Sequence, residues 1–239
     1  MFFFLHLPKT AGTSLRNALS AAIGERLVPV YRFRPDWTQD AAVARRDSIP
    51  PDAIIFGHYP WGFHKRFDQP PRYATILRHP FDRVVSWYRW QATHSHLPFH
   101  DQIRAGLPLG DMIEAGLDRT LTNDMTAYIS GGAPAGLSDV SAVEAAKANL
   151  QTFEFVSVVE ALVLDLPNLS KAIGVPLPAL PVENASDFNL PIDNETRAIV
   201  AKHNALDLQL FAFAARLAEA RNPDIRGTWS KTGGAAVTA

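Results

Sequence analysis

The sequence of 239 residues contains no cysteine, and this absence excludes several kinds of chemistry at once. Disulfide bonds, thiolate metal sites and thiol nucleophiles are all ruled out. The sequence also has no H-E-x-x-H motif and no carboxylate cluster, and we expect no metal site from it. A nucleotide-triphosphate loop of the form G-x-x-x-x-G-K-[ST] is likewise missing.

Long apolar runs and a charge imbalance are also missing. No stretch reaches the ~18 apolar residues that suggest a membrane-spanning helix. The N-terminal run 2–5 is too short for a signal peptide and has no basic segment before it. The net charge of −1 gives no general field for polyanions, so an anion site has to be local. We therefore expect a soluble cytoplasmic protein with no membrane span and no nucleic-acid partner.

The composition and the pattern of apolar residues predict the fold. With 47% apolar and 20% charged residues, the chain is globular in composition and long enough for one large domain spanning 1–239. Its Gly-, Ala- and Thr-rich end, 222–239, is expected to be a flexible tail. Short apolar runs predict buried strands, and the segments between them have helical spacing. The predicted strands are 2–5, 53–57, 73–77 and 155–159, while 28–37 is either a short strand or a loop.

Strands that alternate with helices indicate an α/β fold, here a P-loop-like three-layer sandwich with a central parallel sheet flanked by helices. The helices expected around this sheet include 15–23, one that begins at Pro80, 164–173 and a single long amphipathic helix at 194–221. The segment 59–71 is expected to be a loop, because it contains three prolines and a glycine.

The stretch His6-Leu7-Pro8-Lys9-Thr10-Ala11-Gly12-Thr13-Ser14-Leu15 joins the first strand to the first helix. A strand, a turn of small residues and a helix form an arrangement that can hold a phosphate group. Gly12 allows a close backbone approach, and Lys9 adds a positive charge. Further hydroxyl donors come from Thr10, Thr13 and Ser14. The sequence therefore predicts an anion-binding loop, although an ordinary strand–turn–helix remains an alternative.

Polar or charged residues end or closely follow all four predicted strands: Lys9, His58, Arg78 and Glu160. Because ligands of parallel sheets bind at the carboxyl ends of the strands, these side chains are candidates for one site. Arg78 leads into a turn that contains Pro80, and Ser86 lies two helical turns further on. A guanidinium at this edge suits a phosphate, although Arg78 as a helix cap and Ser86 as a solvated residue are the alternatives.

His58 is the best candidate for a general base, because an imidazole titrates near neutral pH. The alternative is a histidine that only bonds a neighbouring loop carbonyl. His6 is a weaker candidate, since a residue at the end of a strand more often orients the loop that follows. Arg83 is expected to be structural and to pair with an acid such as Asp82 or Glu160.

The stretch 6–15 resembles the 5′-phosphosulfate-binding loop of sulfotransferases that use 3′-phosphoadenosine 5′-phosphosulfate (PAPS). Ile76-Leu77-Arg78-His79-Pro80-Phe81-Asp82-Arg83-Val84-Val85-Ser86-Trp87-Tyr88 resembles the 3′-phosphate motif of the same family. Gly57-His58 is similar to the pair that carries the base in the carbohydrate group that includes heparan sulfate 2-O-sulfotransferases. The resemblance implies transfer of a sulfuryl group from PAPS, without a metal, to an acceptor hydroxyl on a saccharide.

The resemblance also implies a role for each matching residue. His58 is the catalytic base, and Lys9 stabilises the leaving phosphate. The 5′-phosphate is held by Lys9, Thr10, Ala11, Gly12, Thr13 and Ser14, and the 3′-phosphate by Arg78 and Ser86. The chain departs from the family at Ala127, where an arginine is usual.

Two other functions remain open at this point. A kinase on a similar fold needs Mg²⁺ and a carboxylate to hold it, and Glu160 is the acid found at a strand end. A non-catalytic binder of a nucleotide or glycan is consistent with the loss of the arginine at Ala127. The identity of the acceptor, the position sulfated on it and the oligomeric state cannot be read from the sequence. A lipid or a small-molecule alcohol stays open as the acceptor beside a saccharide.

Overall fold

A five-stranded parallel sheet forms the centre of the protein in a computed structural model, which describes residues 1–31, 34–132, 140–180 and 192–229. The strands lie in the order β2-β3-β1-β4-β5. They are β1 (Phe2–Leu5), β2 (Leu27–Val30), β3 (Ile54–Gly57), β4 (Tyr73–Leu77) and β5 (Phe155–Val158). All four predicted strands are confirmed. The segment 28–37, which the sequence left open as a strand or a loop, contributes most of the edge strand β2.

Ten α-helices surround the sheet in the described part of the chain. They are α1 (Gly12–Ile23), α2 (Gln39–Ala44), α3 (Pro80–Thr93), α4 (His100–Arg104), α5 (Leu109–Glu114), α6 (Asp124–Ser130), α7 (Val140–Thr152), α8 (Leu162–Ile173), α9 (Asn194–His203) and α10 (Ala205–Arg221).

The central strand β1 is apolar at every position because both faces of the sheet are covered. Successive side chains of a strand point to opposite faces. Phe3 and Leu5 therefore pack in the core formed with α6, α7 and α10. Phe2 and Phe4 pack in the second core, formed with α1 and α8. The predicted α/β fold, a parallel sheet between two helical layers, is confirmed.

The helix predicted at 194–221 is in fact two helices, α9 and α10, which meet at Asn204. The Asn204 side chain is fully buried, and its Nδ2 donates to the carbonyl oxygens of Leu121 and Val200 at 2.8 and 3.0 Å. Its Oδ1 accepts a hydrogen bond from the Asn123 N–H at 3.0 Å. Asparagine side chains compete with backbone groups in this way and so break helices. The apolar periodicity continues across the break, which is why the sequence predicted one helix.

Two further segments differ from the prediction. The stretch expected to be only loop contains a short 3₁₀ helix, Phe63–Phe67. The first part of the tail expected at 222–239 is packed on the fold, since Asn222 and Ile225 are buried and Trp229 packs edge-on against Phe211. Residues 230–239 lie outside the described residues. Among the described helices, none is long and apolar enough to cross a membrane.

Candidate functional site

The carboxyl ends of the strands open into a cavity of about 580 Å³. Eight of the nine predicted site residues line it: Lys9, Ala11, Gly12, Thr13, Ser14, His58, Arg78 and Ser86. The parallel sheet explains this arrangement, because β1, β3 and β4 are neighbours and all end at the same edge. Thr10 and Glu160, which the sequence also placed at this edge, do not line the cavity.

The loop after β1 leaves the start of α1 open to the cavity. Lys9 and Ala11 adopt left-handed conformations, with φ of 69° and 62°. The first backbone hydrogen bond of the helix runs from the Leu15 N–H to the Ala11 carbonyl. The N–H groups of residues 12–14 therefore have no partner within the helix. The first turn, which the structure describes completely, contains no acidic residue. This end of the helix carries partial positive charge and suits an anion.

Two residues of this loop have roles that the sequence did not predict. The Thr10 hydroxyl was expected to face a phosphate, but the side chain is buried and donates to the Leu7 carbonyl at 2.8 Å. Thr10 therefore stabilises the turn. Gly12 lines the cavity, and its close approach to a ligand stays a prediction. A Cβ added there would lie 1.9 Å from Cε1 and Nε2 of His6, so the glycine also leaves room for the His6 ring.

Lys9 and Arg78 lie side by side in the wall of the cavity. Nη1 of Arg78 donates to the Lys9 carbonyl oxygen at 3.2 Å. The Lys9 ammonium lies 5.0 Å from the centre of the Trp90 ring. Burial, together with the nearby Arg78 charge, lowers the pKa of Lys9 to about 8. Two cations held this close together repel each other, and an anion bound between them would relieve that repulsion.

His58 follows β3 and is held by three hydrogen bonds. Its backbone N–H donates to the Val30 carbonyl at 2.8 Å, and its carbonyl accepts from Gln39 at 3.2 Å. Its Nδ1 lies 2.7 Å from the His6 carbonyl oxygen. Because a carbonyl can only accept, Nδ1 carries the proton, and in the neutral ring Nε2 then holds the lone pair. This is the tautomer that a general base requires.

The other wall of the cavity combines cations with aromatic rings that the sequence did not identify as site residues. The guanidinium carbon of Arg34 lies 4.7 Å from the centre of the Trp37 ring, and that of Arg16 lies 5.8 Å from it. Tyr31 packs beside Trp37 with a centroid distance of 6.0 Å. The feature of the sequence that could have identified this wall is the mixed aromatic and basic composition of 28–37. Among the described residues that line the cavity there are four Lys or Arg and no Asp or Glu.

Two polar residues that the sequence analysis singled out, Glu160 and Arg83, have structural roles instead of lining the cavity. Glu160 accepts a hydrogen bond from the His79 N–H at 2.9 Å, and burial raises the pKa of its carboxyl group. Arg83 is fully buried and pairs with Asp124 at 3.5 Å, so the expected pairing with Asp82 or Glu160 is wrong. The two residues are far apart in sequence, so the pair could not be predicted. It forms because the fold brings Arg83 of α3 to Asp124 at the start of α6.

Ala127 is buried in α6 and does not line the cavity. No group of three His, Asp or Glu side chains placed to hold a metal occurs in the described part of the chain. The absence of a metal from the reaction stays a prediction.

The chain was compared with family models, curated proteins and solved structures. No protein-family model matches the sequence, and no curated protein matches it. The chain is similar in structure to the mouse sulfotransferase SULT7A1 complexed with PAP, at 14% sequence identity and a TM-score of 0.48. The match covers 88% of this chain and 64% of that chain. Because the identity and the TM-score are both low, the assignment of a function depends on the geometry of the site itself.

Proposed function

We propose that the protein is a sulfotransferase that moves a sulfuryl group from PAPS to a hydroxyl group of a saccharide acceptor. One observation carries the proposal: a single cavity contains an open helix start, adjacent Lys and Arg side chains and a histidine in the tautomer of a base. The cationic lining favours a ligand with several negative charges, and PAPS has phosphates at both its 5′ and 3′ positions.

The donor is proposed to lie along the wall formed by α1 and α3. The N–H groups of residues 12–14 and the hydroxyls of Thr13 and Ser14 hold the 5′-phosphate. Arg78 and Ser86 bind the 3′-phosphate. Lys9 is placed at the loop to neutralise the charge that develops on the leaving phosphate oxygen. The Thr10 side chain has no direct part in this assignment.

The transfer proceeds in line between two oxygen atoms. The acceptor oxygen forms a bond to sulfur while the bond from sulfur to the 5′-phosphate oxygen breaks. Nε2 of His58 takes the proton from the attacking hydroxyl, and 3′-phosphoadenosine 5′-phosphate (PAP) leaves. These contributions are electrostatic and positional, and they are fixed by the fold before the reaction begins.

The acceptor is proposed to bind on the side of His58 where the aromatic residues lie. Tyr31 packs edge-on against His58 at a centroid distance of 4.7 Å, and Tyr128 lies 6.5 Å away on the same cavity wall. Trp37 continues this surface. Aromatic faces of this kind suit the apolar faces of sugar rings, and they support a saccharide acceptor.

A kinase is the less favourable alternative. It requires a carboxylate at the phosphates to hold Mg²⁺. No Asp or Glu occurs among the described lining residues, and Glu160 is engaged with the His79 backbone outside the cavity.

The test is a transfer assay with radiolabelled PAPS and a panel of saccharides, run with and without EDTA. Wild-type protein should label an acceptor, and EDTA should leave the rate unchanged. His58→Gln should lower turnover by roughly 10²- to 10⁴-fold while PAP affinity stays within about threefold. The matched control is His96→Gln, an exposed histidine that does not line the cavity, and it should behave as wild type.

Each alternative gives a different result in this assay. No transfer from PAPS, together with transfer from labelled ATP that EDTA abolishes, indicates phosphoryl-transfer chemistry. Binding of PAP without transfer to any acceptor indicates a non-catalytic binder. If PAP does not bind at all, the proposed function is wrong.

A further inference from the structure

His6 is a buried titratable residue that the proposed mechanism does not use. It follows β1 directly and is only 7% exposed. Its Nε2 has no hydrogen-bond partner among the described residues. A buried polar atom without a partner destabilises a fold, so the position of this ring needs another explanation.

The His6 ring lies flat against the proposed base. It stacks on the His58 ring with a centroid distance of 4.7 Å and an interplanar angle of 26°. It also stacks on Phe56 at 5.1 Å and 15°, so its plane is fixed by two rings. The backbone of the same residue accepts the Nδ1 proton of His58. His6 therefore contacts both the face and the edge of the imidazole that takes the proton.

Tyr31 joins these two histidines into a group of three rings. Its hydroxyl lies 3.1 Å from Nδ1 of His6. Its ring packs edge-on against His58 at 4.7 Å and 85°. A rotation of His58 would have to displace Tyr31 or His6, and each of these holds the other in place.

The far edge of the His6 ring lies against the first residue of α1. A Cβ at Gly12 would overlap Cε1 and Nε2 of His6 at 1.9 Å. The ring thus fills the space between His58 and the start of the helix. The distance from the base to the phosphate-binding loop is set by the width of this one side chain.

The charge state of His6 fits such a role. Burial lowers the pKa of His6 well below its usual value, and the positive charges of His58, Arg16 and Lys9 lower it further. The ring is therefore neutral at pH 7. A neutral ring neither repels a newly protonated His58 nor competes with it for the proton.

We propose that His6 is the positioning residue that holds His58 at a fixed orientation and distance from the phosphate-binding loop. This inference rests on the function proposed above. His6 itself does not contact the reacting atoms. It acts through His58, and through the Tyr31 hydroxyl that holds its own ring.

The first test compares His6→Ala in two backgrounds. In wild-type protein, His6→Ala should lower turnover by roughly 10- to 100-fold, the effect of misplacing a base by about 1 Å. The KM for PAPS should change by less than about threefold. In a His58→Gln background, the same change should lower the residual rate by less than about threefold, because the group it positions is already gone. An equal loss in both backgrounds would show a merely structural role and overturn the proposal.

The second test uses a milder variant and applies even if the His6→Ala protein does not fold. Tyr31→Phe removes only the hydroxyl at Nδ1 of His6. It should lower turnover roughly 3- to 10-fold, while the melting temperature falls by only about 2–4 °C for the one lost hydrogen bond. An unchanged turnover in Tyr31→Phe counts against the proposal.

The third test does not depend on activity. Nitrogen-15 NMR of the histidine side chains should show His58 as a single Nδ1–H tautomer in wild type and as a mixture in His6→Ala. A single tautomer in both proteins contradicts the proposal. If wild-type protein transfers no sulfuryl group while His58 loses its single tautomer in His6→Ala, the proposed function has failed and the positioning role stands.

Discussion

Arg78 and Arg72 provide a matched pair of arginines at the two ends of β4. Arg78 follows the strand at its carboxyl end and lines the cavity. Arg72 precedes it at the amino end and makes a two-pronged ion pair with Glu154, at 2.7 and 3.0 Å. Replacing either residue by alanine removes an arginine side chain directly next to the same strand. Only the Arg78 variant should affect binding of a 3′-phosphorylated nucleotide.

The size of the effect follows from the kind of bond that is lost. A hydrogen bond to a charged group contributes about 1.5–3 kcal/mol. Arg78→Ala should therefore weaken PAP binding by roughly 10- to 150-fold. Arg72 and Glu154 form a partly exposed surface pair, and such pairs contribute at most about 1 kcal/mol to stability. Arg72→Ala should leave PAP affinity unchanged.

Binding of adenosine 5′-phosphate distinguishes the two contacts of Arg78, which are the observed one with the Lys9 carbonyl and the proposed one with the 3′-phosphate. This nucleotide lacks the 3′-phosphate, so its binding reports only the loop whose Lys9 carbonyl accepts from Arg78. We expect Arg78→Ala to weaken its binding by less than about threefold, since one neutral backbone contact is lost. The preference of wild-type protein for PAP over adenosine 5′-phosphate should therefore fall by at least about threefold and by as much as about 150-fold. Arg78→Lys keeps the charge without the planar fork and should give an intermediate value.

The assay is isothermal titration calorimetry at pH 7 and fixed salt, with a thermal melt of each variant. The reasoning is refuted if Arg78→Ala binds PAP as tightly as wild type. It is also refuted if the affinities for both nucleotides fall by the same factor, because Arg78 would then act only on the loop. If Arg72→Ala weakens PAP binding as much as Arg78→Ala does, the loss of affinity reflects damage to the fold and not the loss of a contact in the cavity.

Four further predictions concern the loop between β1 and α1 and the first turn of α1. Because the pKa of Lys9 is lowered to about 8 and its charged form binds anions, PAP affinity should fall as the pH rises from 7 to 9.5. Calorimetry of Lys9→Arg over this range should show a flat profile, and a flat wild-type profile would contradict the assignment. Gly12→Ala forces a Cβ into the His6 ring and should destabilise the protein by about 1–3 kcal/mol in urea unfolding. Thr10→Val should reduce stability by about 1 kcal/mol with unchanged PAP affinity, because its hydroxyl bonds only the backbone. Ser14→Ala should show the opposite result, with the melting temperature unchanged and PAP affinity reduced roughly 2- to 10-fold.

Much of the fold was predictable because it depends on local signals. The apolar runs that became β1, β3, β4 and β5 are short and bounded by polar or turn residues, as buried strands are. The start of α3 was marked by Pro80. The expectation that Lys9, His58 and Arg78 share one edge followed from parallel strands alone, and all three line the cavity.

Some errors arose where a side chain bonds a distant or hidden backbone group. Asn204 divides a helix that the apolar periodicity predicted to be continuous, because its side chain bonds the backbone of Leu121 and Asn123, which are distant in sequence, as well as that of Val200. Thr10 is a residue type that often binds phosphate, but its hydroxyl donates to the Leu7 carbonyl of the same loop. Residue type does not show which of several partners a polar group will choose.

The sequence alone determined four of the five strands, the loop that is proposed to bind an anion and the edge of the sheet at which polar residues gather. These features depend on spacing along the chain and on the geometry of single elements. Only the tertiary structure decided that His6, Tyr31 and His58 form one group of rings and that Arg83 pairs with Asp124. Contacts between residues distant in sequence arise when separate elements pack together, and the spacing within one element carries no information about them.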